Sequence, residues 1–319
     1  MPPVFFKRIF LLAMRIIEYN QLAQGVTMPD FKVSSTCPAL PVKDFLRRQA
    51  GLSLTLWRKI KNSGSIVINT RPAAINDLVY PGDIITVSWP NNSSITPENL
   101  PLTILYEDEW LLVVEKSAGM LVHPTSGQPS GTLGNAVLHY YSTHNYLYGF
   151  HPVNRLDRNT SGLVLIAKRP DIQHVLNQNL QHITKQYLAI TAAVPKPPQG
   201  VINVPIGRKP GSIIEREVRP DGQQAITRYS VLATFSNACL LDITLETGRT
   251  HQIRVHLSYI GCPLLGDDLY GGSITLLSRQ ALHAAKLILP HPITKQQLTL
   301  VSPLPADLNN LITNLASNL

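Results

Sequence analysis

The sequence predicts an α+β protein: a mixed or antiparallel sheet domain with flanking helices, preceded by a small α+β module. Three observations carry this. From Leu102 onward, apolar strand-like runs such as Trp110–Val114 and Leu163–Ala167 outnumber helical segments and do not alternate with them. That argues against a doubly wound parallel sheet. Residues 41–89 read instead as helix, helix, strand, turn, strand. Between the two, Pro90–Pro101 is polar and punctuated by proline, a linker by composition. The expected organisation is an N-terminal extension at 1–30, the small module at 31–90, a linker at 91–101 and the sheet domain at 102–319.

Each element has a local reason. Val42–Ala50 carries Val42, Phe45, Leu46 and Ala50 at helical spacing and is closed by Gly51. Leu54–Lys61 reads as a second helix, with Ser53 as N-cap and Gly64 as its stop. Ser65–Asn69 and Asp83–Trp89 are short strands, the second entered through the turn Tyr80-Pro81-Gly82-Asp83. In the larger domain, Gln186–Ile190 and Leu240–Leu245 add to the strands, and helices are expected over Leu133–Tyr141, Pro170–Gln181 and His251–Ile260. Loops such as Val194-Pro195-Lys196-Pro197-Pro198 separate them.

Composition narrows the partners. The chain has 319 residues, 44% of them hydrophobic, so it can bury a sizeable core. The net charge is +8 with only 15% charged residues, and the pI is near 9.4. That balance suits an anionic partner, nucleic acid first. On the helices of the small module Lys43, Arg47, Arg48, Arg58, Lys59 and Lys61 stand against a single acid, Asp44, as a phosphate-contacting face would. Cys37, Cys239 and Cys262 are far apart and form no CxxC pair, so neither a disulfide framework nor a thiolate zinc site is indicated. No apolar stretch approaches the ~20 residues that span a bilayer. Ile9–Met14 is short for a signal-peptide core, and no small-residue cleavage site follows it. The expectation is a cytoplasmic protein without membrane association, with Met14 as a possible true start that an intact-mass measurement would settle.

Three segments carry chemistry. In Asn154-Arg155-Leu156-Asp157-Arg158-Asn159-Thr160-Ser161-Gly162 a carboxylate lies between two arginines in a polar loop that feeds a buried strand. A flanked carboxylate stays ionised and a strand edge holds it still. By itself such a loop is an ordinary surface ion pair. The second segment is Lys185-Gln186-Tyr187, opening a strand. The third is Gly248–His256, where a strand gives way to a helix whose apolar face is Ile253, Leu257 and Ile260, with Arg254 about a quarter turn away.

On these residues the chain resembles the RluA-type pseudouridine synthases from about Pro41 to its C-terminus. Arg155–Leu163 matches the family's Arg-Leu-Asp-Arg-x-Thr-Ser-Gly-Leu run. Gly248–His256, Gly266-Asp267 to Tyr270-Gly271, and Arg279–Ala284 match later signatures. With the Tyr187 segment these make five ordered matches. The first module resembles an S4 RNA-binding domain. The resemblance implies the pseudouridine synthase fold and isomerisation of uridine in structured RNA, ribosomal most readily and transfer RNA as the alternative. It implies Asp157 as the catalytic aspartate, Arg254 as its partner, Tyr187 as the active-site tyrosine and Arg155 as the arginine that fills the space of the extruded base. Arg249 is divided between RNA contact and pairing with an acid.

The chemistry fits these residue types. Uridine loses its N1–C1′ bond, the uracil turns, and it rejoins through C5. Uracil departs as a stabilised anion, so no cofactor or metal is expected, and the protein is expected to act on RNA as a monomer. Asp157 attacks C1′, adds to C6 or removes a sugar proton; the sequence leaves these open. Tyr187 is read as stacking on the ring, because an ordinary phenol, with a pKa near ~10, is a poor base. His251 and His256 are five apart and not a zinc pair, and Asp267-Asp268 is read as a turn or cap rather than a metal site. Two positions depart from the family pattern: Asn154 where a histidine is common, and Ser117 where a proline is common after Lys116. The competing readings are a catalytically inactive RNA-binding or assembly protein on the same fold and, last, a glycosidase, which would need a second partnered carboxylate.

Overall fold

The structure, a computed structural model, describes residues 29–89, 93–146 and 148–317. Residues 1–28 of the expected N-terminal extension at 1–30, with Met14, and Pro90, Asn91 and Asn92 at the linker lie outside the described residues, while Asp30 already belongs to a strand. The described chain forms two compact units. One holds the residues up to Ser94 together with 141–149 and 169–174. The other holds Ile95–Tyr140, Phe150–Lys168 and the chain from Val175.

In the first unit a four-stranded antiparallel sheet runs in the order Asp30–Lys32, Ile84–Ser88, Ser65–Ile68, Arg71–Pro72. Ile66, Ile68, Ile85 and Val87 are buried while their neighbours along each strand are not. That alternation sets one apolar face of the sheet against the helices. The helix Leu54–Ser63 starts where expected: the Ser53 hydroxyl accepts the Leu56 N–H at 3.1 Å. It buries Leu56 and Ile60, one turn apart. Gly82 takes φ +90° behind Pro81, the left-handed position a type II turn requires, and the Asp83 N–H donates to the Tyr80 carbonyl at 3.1 Å.

The expected helix Val42–Ala50 is not uniform. One turn, Val42–Asp44, leads into a wider winding over Phe45–Gln49, closed by Ala50 N–H on the Phe45 carbonyl at 2.8 Å. The extra residue per turn keeps both Phe45 and Leu46 buried as the chain bends toward buried Leu52. The Arg47 guanidinium donates to the Leu52 carbonyl and so caps this bend.

The second unit is built on one mixed sheet. Its strands lie in the order Gln199–Asn203, Ile226–Thr234, Cys239–Leu245, Thr184–Thr191, Leu282–Pro290, Ser161–Ala167, Leu111–Lys116, Thr103–Glu107. Gln297–Val301 pairs beside Leu282–Pro290, and His151–Pro152 beside Ser161–Ala167. All these pairings are antiparallel except Ser161–Ala167 with Leu282–Pro290, which is parallel. Ser161–Ala167 is buried at every residue, as a central strand covered on both faces should be. Beyond the small module, the helices of the described chain are Leu133–Thr143, Pro170–Gln178, Gln252–Tyr259 and Ala306–Ser317. Pro170–Gln178 stops short of the expected Gln181 because a separate 3₁₀ turn forms at Leu180–His182. Among the described residues no helix is long and apolar enough to cross a membrane.

The parallel junction explains a glycine. Ser161 and Gly162 pair with His283 and Ala284, and Gly162 has φ +112°. A Cβ there would lie 2.3 Å from the Ala284 carbonyl oxygen and 2.7 Å from its nitrogen. Both are backbone atoms of a central strand and cannot move aside. Gly162→Ala is therefore expected to destabilise the protein by at least ~2 kcal/mol, read by urea unfolding. A variant within ~0.5 kcal/mol of the parent would contradict this packing account.

Candidate active site

The loop before the central strand is tied down at nearly every residue. The Asn154 amide lies across the strand: its nitrogen donates to the Leu163 carbonyl at 3.1 Å and its oxygen accepts the Leu165 N–H at 2.8 Å. An asparagine thus does the work of a short strand partner at one of the positions that depart from the family pattern. Thr160 N–H closes back on the Asp157 carbonyl at 3.1 Å. Gln280 reaches Thr160, Arg279 donates to the Asn159 carbonyl at 3.2 Å, and Ser161 bonds His283 at 3.0 Å. The signature Arg279–Ala284 is therefore the brace of the Asp157 loop.

Lys116 braces it from the other side. Its side chain is fully buried, and its three donors meet three carbonyl oxygens, those of Ser117 and Met120 at 2.8 Å and Arg158 at 3.0 Å. Burial pulls the ammonium down to about 7, while the nearby Asp157 charge opposes that shift and Arg279 adds to it. Ser117, the second departure, contributes only its carbonyl to this cradle. Neither departure disturbs the loop.

The third segment is built around glutamine. Gln252 is buried, and all four of its hydrogen bonds are made: Oε1 accepts from Thr247 (2.8 Å) and the Arg249 N–H (2.9 Å), and Nε2 donates to the Ile226 carbonyl (3.0 Å) and Thr227 (3.1 Å). This clamp starts the helix at Gln252, not at His251, which sits in the left-handed region at φ 58°, ψ 19°. The first turn of the helix then aims Arg254 at the Asp157 loop.

Arg254 joins two carboxylates. Its Nη1 lies 3.3 Å from Asp157 Oδ2, and its Nε and Nη2 make a bidentate pair with Asp267 at 2.8 Å each. Its guanidinium carbon stands 4.8 Å from the Tyr270 ring centre. Asp267 is shut away from solvent, whereas the Asp157 side chain keeps 26% of its exposure. The inner acid fixes the guanidinium, and the outer acid faces the open side. Asp267 does more than the turn or cap role read for Asp267-Asp268. Its backbone does accept from Tyr270 and Gly272, but its carboxylate holds Arg254.

Tyr187 lies on Thr184–Thr191, where the register with Leu282–Pro290 slips between Gln186 and Leu188. Such a bulge re-aims a side chain. The ring is buried, and burial first, then the Asp157 charge, pushes the phenol well above its ordinary range. A phenol held neutral this firmly is no general base, which supports stacking over proton transfer.

The remaining expected residues are spread out. Arg155 is exposed beside the loop. Arg249 is exposed and donates to the Gln224 carbonyl at 3.0 Å, a backbone contact and not the pairing with an acid that is one of its two readings. In the first unit Arg48, Arg58 and Lys61 are exposed, Lys59 is half-buried, and Arg47 is engaged at Leu52. Arg48 lies 3.6 Å from Asp44. His256 is buried and bonded through both nitrogens, to Thr227 at 2.8 Å and the Val204 carbonyl at 3.1 Å, so it is structural and not an RNA contact. Among the described residues no cluster of three or more His, Cys, Asp or Glu could hold a metal.

Residues 110–259 match the family described as RNA pseudouridylate synthase. The chain is 38% identical over 270 residues to the uncharacterized RNA pseudouridine synthase YjbO of Bacillus subtilis, covering 83% of this chain and 95% of that protein. It is 39% identical over 258 residues to ribosomal large subunit pseudouridine synthase D of Pasteurella multocida, covering 75% and 79%. Its structure is similar to that of human RNA pseudouridylate synthase domain containing 4, with a TM-score of 0.56, 27% identity and coverage of 67% and 93%. The matched stretch holds Asp157, Tyr187 and Arg254 together, and with relatives this similar over most of their length the chain belongs to the RNA pseudouridylate synthase family.

Proposed function

We propose that this RNA pseudouridine synthase acts on ribosomal RNA and that Asp157 is the carboxylate that acts on the target uridine. The single observation that carries the residue assignment is Arg254, which bridges Asp157 and the buried Asp267. An always-charged guanidinium gives the carboxylate an ionic partner and fixes its direction. The ribosomal target rests on relatives named ribosomal large subunit pseudouridine synthase D. The inactive alternative has no comparable support.

The target base leaves its stack at a cost of roughly a few kcal/mol, and exposed Arg155 takes its place. Tyr187 stacks against the uracil while the N1–C1′ bond breaks. The ring turns, C5 bonds to C1′, and the C5 proton is lost as N1 gains one. Attack at C1′, addition at C6 and proton removal from the sugar all need the ionised Asp157. The first unit, read as an S4-like domain at 31–90, supplies phosphate contacts through Arg47, Arg48, Arg58, Lys59 and Lys61, with Arg249 adding one from the second unit. The protein is read as a cytoplasmic monomer that needs no cofactor.

The test is a map of pseudouridines in total RNA from the native host, its deletion strain and a strain complemented with Asp157→Asn. One or more ribosomal sites lost on deletion and not restored by the variant is the expected result. Sites lost only from transfer RNA would move the target, and restoration by the variant would remove Asp157 from the chemistry. Tyr187→Phe adds a finer prediction. Stacking needs only the ring, so the single-turnover rate should fall less than ~10-fold, whereas Tyr187→Ala should cost ~100-fold or more. Equal losses in the two variants would return the hydroxyl to the mechanism.

A further inference from the structure

His251 is held in an unusual way. It is one of the few non-glycine residues with positive φ among the described residues, a conformation that costs about 1–3 kcal/mol unless its surroundings impose it. Its side chain keeps only 11% of its exposure. Nδ1 lies 2.7 Å from the Tyr270 hydroxyl, and Nε2 points to Asp157, 3.9 Å from Oδ2. His256, five residues on, spends both nitrogens on internal partners; His251 spends one.

The tautomer follows from the direction of the Tyr270 hydroxyl. Its oxygen accepts the Arg216 N–H at 3.0 Å, and its own hydrogen can be directed at His251 Nδ1, 2.7 Å away. Nδ1 is then an acceptor, and in the neutral ring the hydrogen sits on Nε2, on the side of Asp157. The groups around the ring are Asp157 on its loop, Arg254 on the helix, Arg216 on the strand Arg216–Val218, and Asp267 with Tyr270 in the turn Gly266–Gly271. Burial above all, then the two arginines, keeps the imidazole below its ordinary range against the pull of the two acids. A neutral imidazole with Nδ1 occupied has no lone pair toward the pocket, so it is not a base there.

We infer that His251 is a positioning residue: its Nε2–H is the second donor to the Asp157 carboxylate, at the same Oδ2 that Arg254 reaches, and it closes from 3.9 Å to hydrogen-bond distance when RNA fills the site. Arg254 supplies charge; His251 supplies direction without adding charge that would dull the carboxylate. Tyr270 couples this pair to the hairpin Ile206–Val218 through Arg216, so a hairpin shifted by RNA would move the imidazole.

The inference rests on the pseudouridine synthase reading, and two readouts separate them. The first needs no RNA: carbon-13 NMR titration of Asp157 in the full chain. His251→Leu should make this carboxyl a measurably weaker acid, because the Nε2–H dipole aimed at it from 3.9 Å is lost. His251→Gln, whose amide reaches the place of Nε2, should stay near the parent. Tyr270→Phe keeps a ring under Arg254 but frees the tautomer, and should fall between. The second readout is single-turnover conversion at saturating enzyme. His251→Leu should lose about tenfold in rate, with its acid limb moved to higher pH and RNA affinity within about threefold. His251→Gln should recover at least about half of the rate. Leu and Gln variants that titrate and react alike, or a His251→Leu defect confined to RNA affinity, would overturn the inference. If His251→Leu fails to fold, Tyr270→Phe decides: a parental titration overturns the inference. A parent protein that modifies no RNA would overturn the synthase reading, while the carboxyl titration would still decide the role of His251.

Discussion

Asp157→Asn is expected to lower pseudouridine formation by at least ~10³-fold while leaving the fold and RNA binding close to those of the parent. The asymmetry of the ion-pair network is the reason. The substitution keeps the shape of the side chain and removes its charge, so every route through an ionised carboxylate closes. Its effect on stability should be small. The Asp157 side chain keeps 26% of its exposure, and water already screens its 3.3 Å contact with Arg254. Arg254 remains held by the bidentate pair with Asp267, so no buried charge is stranded. The loop backbone does not depend on the carboxylate either. Lys116, Arg279 and Gln280 hold it through the Arg158 and Asn159 carbonyls and the Thr160 hydroxyl. Tritium release from RNA labelled at uridine C5 reads the activity, and a thermal melt reads the fold. A variant that keeps a tenth of the parent activity would show that the carboxylate is not the reacting group.

The same network shows what was legible in the sequence. Asp157, Tyr187 and Arg254 stood out because each sits in a short run whose residue types are tied to one chemistry, and the fold brings Asp157 and Arg254 to 3.3 Å. The mixed sheet was readable from apolar runs without helical alternation. Asp267 was not, because its meaning depends on an arginine 13 residues earlier and across a turn, and no periodicity marks such a pair. The same holds for Lys116, whose partners are backbone carbonyls, which no side-chain pattern records. The helix start at Gln252 was misplaced by one residue, since a glutamine clamping a turn from inside reads in sequence as an ordinary polar residue. The wider winding at Phe45–Gln49 was hidden because an i→i+5 turn keeps nearly the same apolar spacing as an α-helix. The C-terminal helix Ala306–Ser317 went unread, although Leu308 and Leu311 are three apart and both buried.

Arg254→Met is expected to be damaging twice over, and the two losses can be separated. Asp267 is fully shielded from solvent, and Arg254 makes both of its side-chain ion-pair contacts. Removing the guanidinium strands that carboxylate, which should cost about 3–5 kcal/mol of stability. Asp157 loses its ionic partner at the same stroke, so activity should fall by ~100-fold or more. A second substitution, Asp267→Leu, removes the stranded charge and fills the space with carbon. The double variant should therefore regain most of the lost stability in a urea titration, since replacing a buried pair by apolar groups is often neutral. It should regain no activity, because nothing then holds Asp157 in its pocket. The contrast lies in the interaction energy of this double-mutant cycle: large for stability, near zero for rate. If the double variant recovered activity together with stability, Arg254 would be there to neutralise Asp267, and the 3.3 Å contact with Asp157 would be incidental to the reaction.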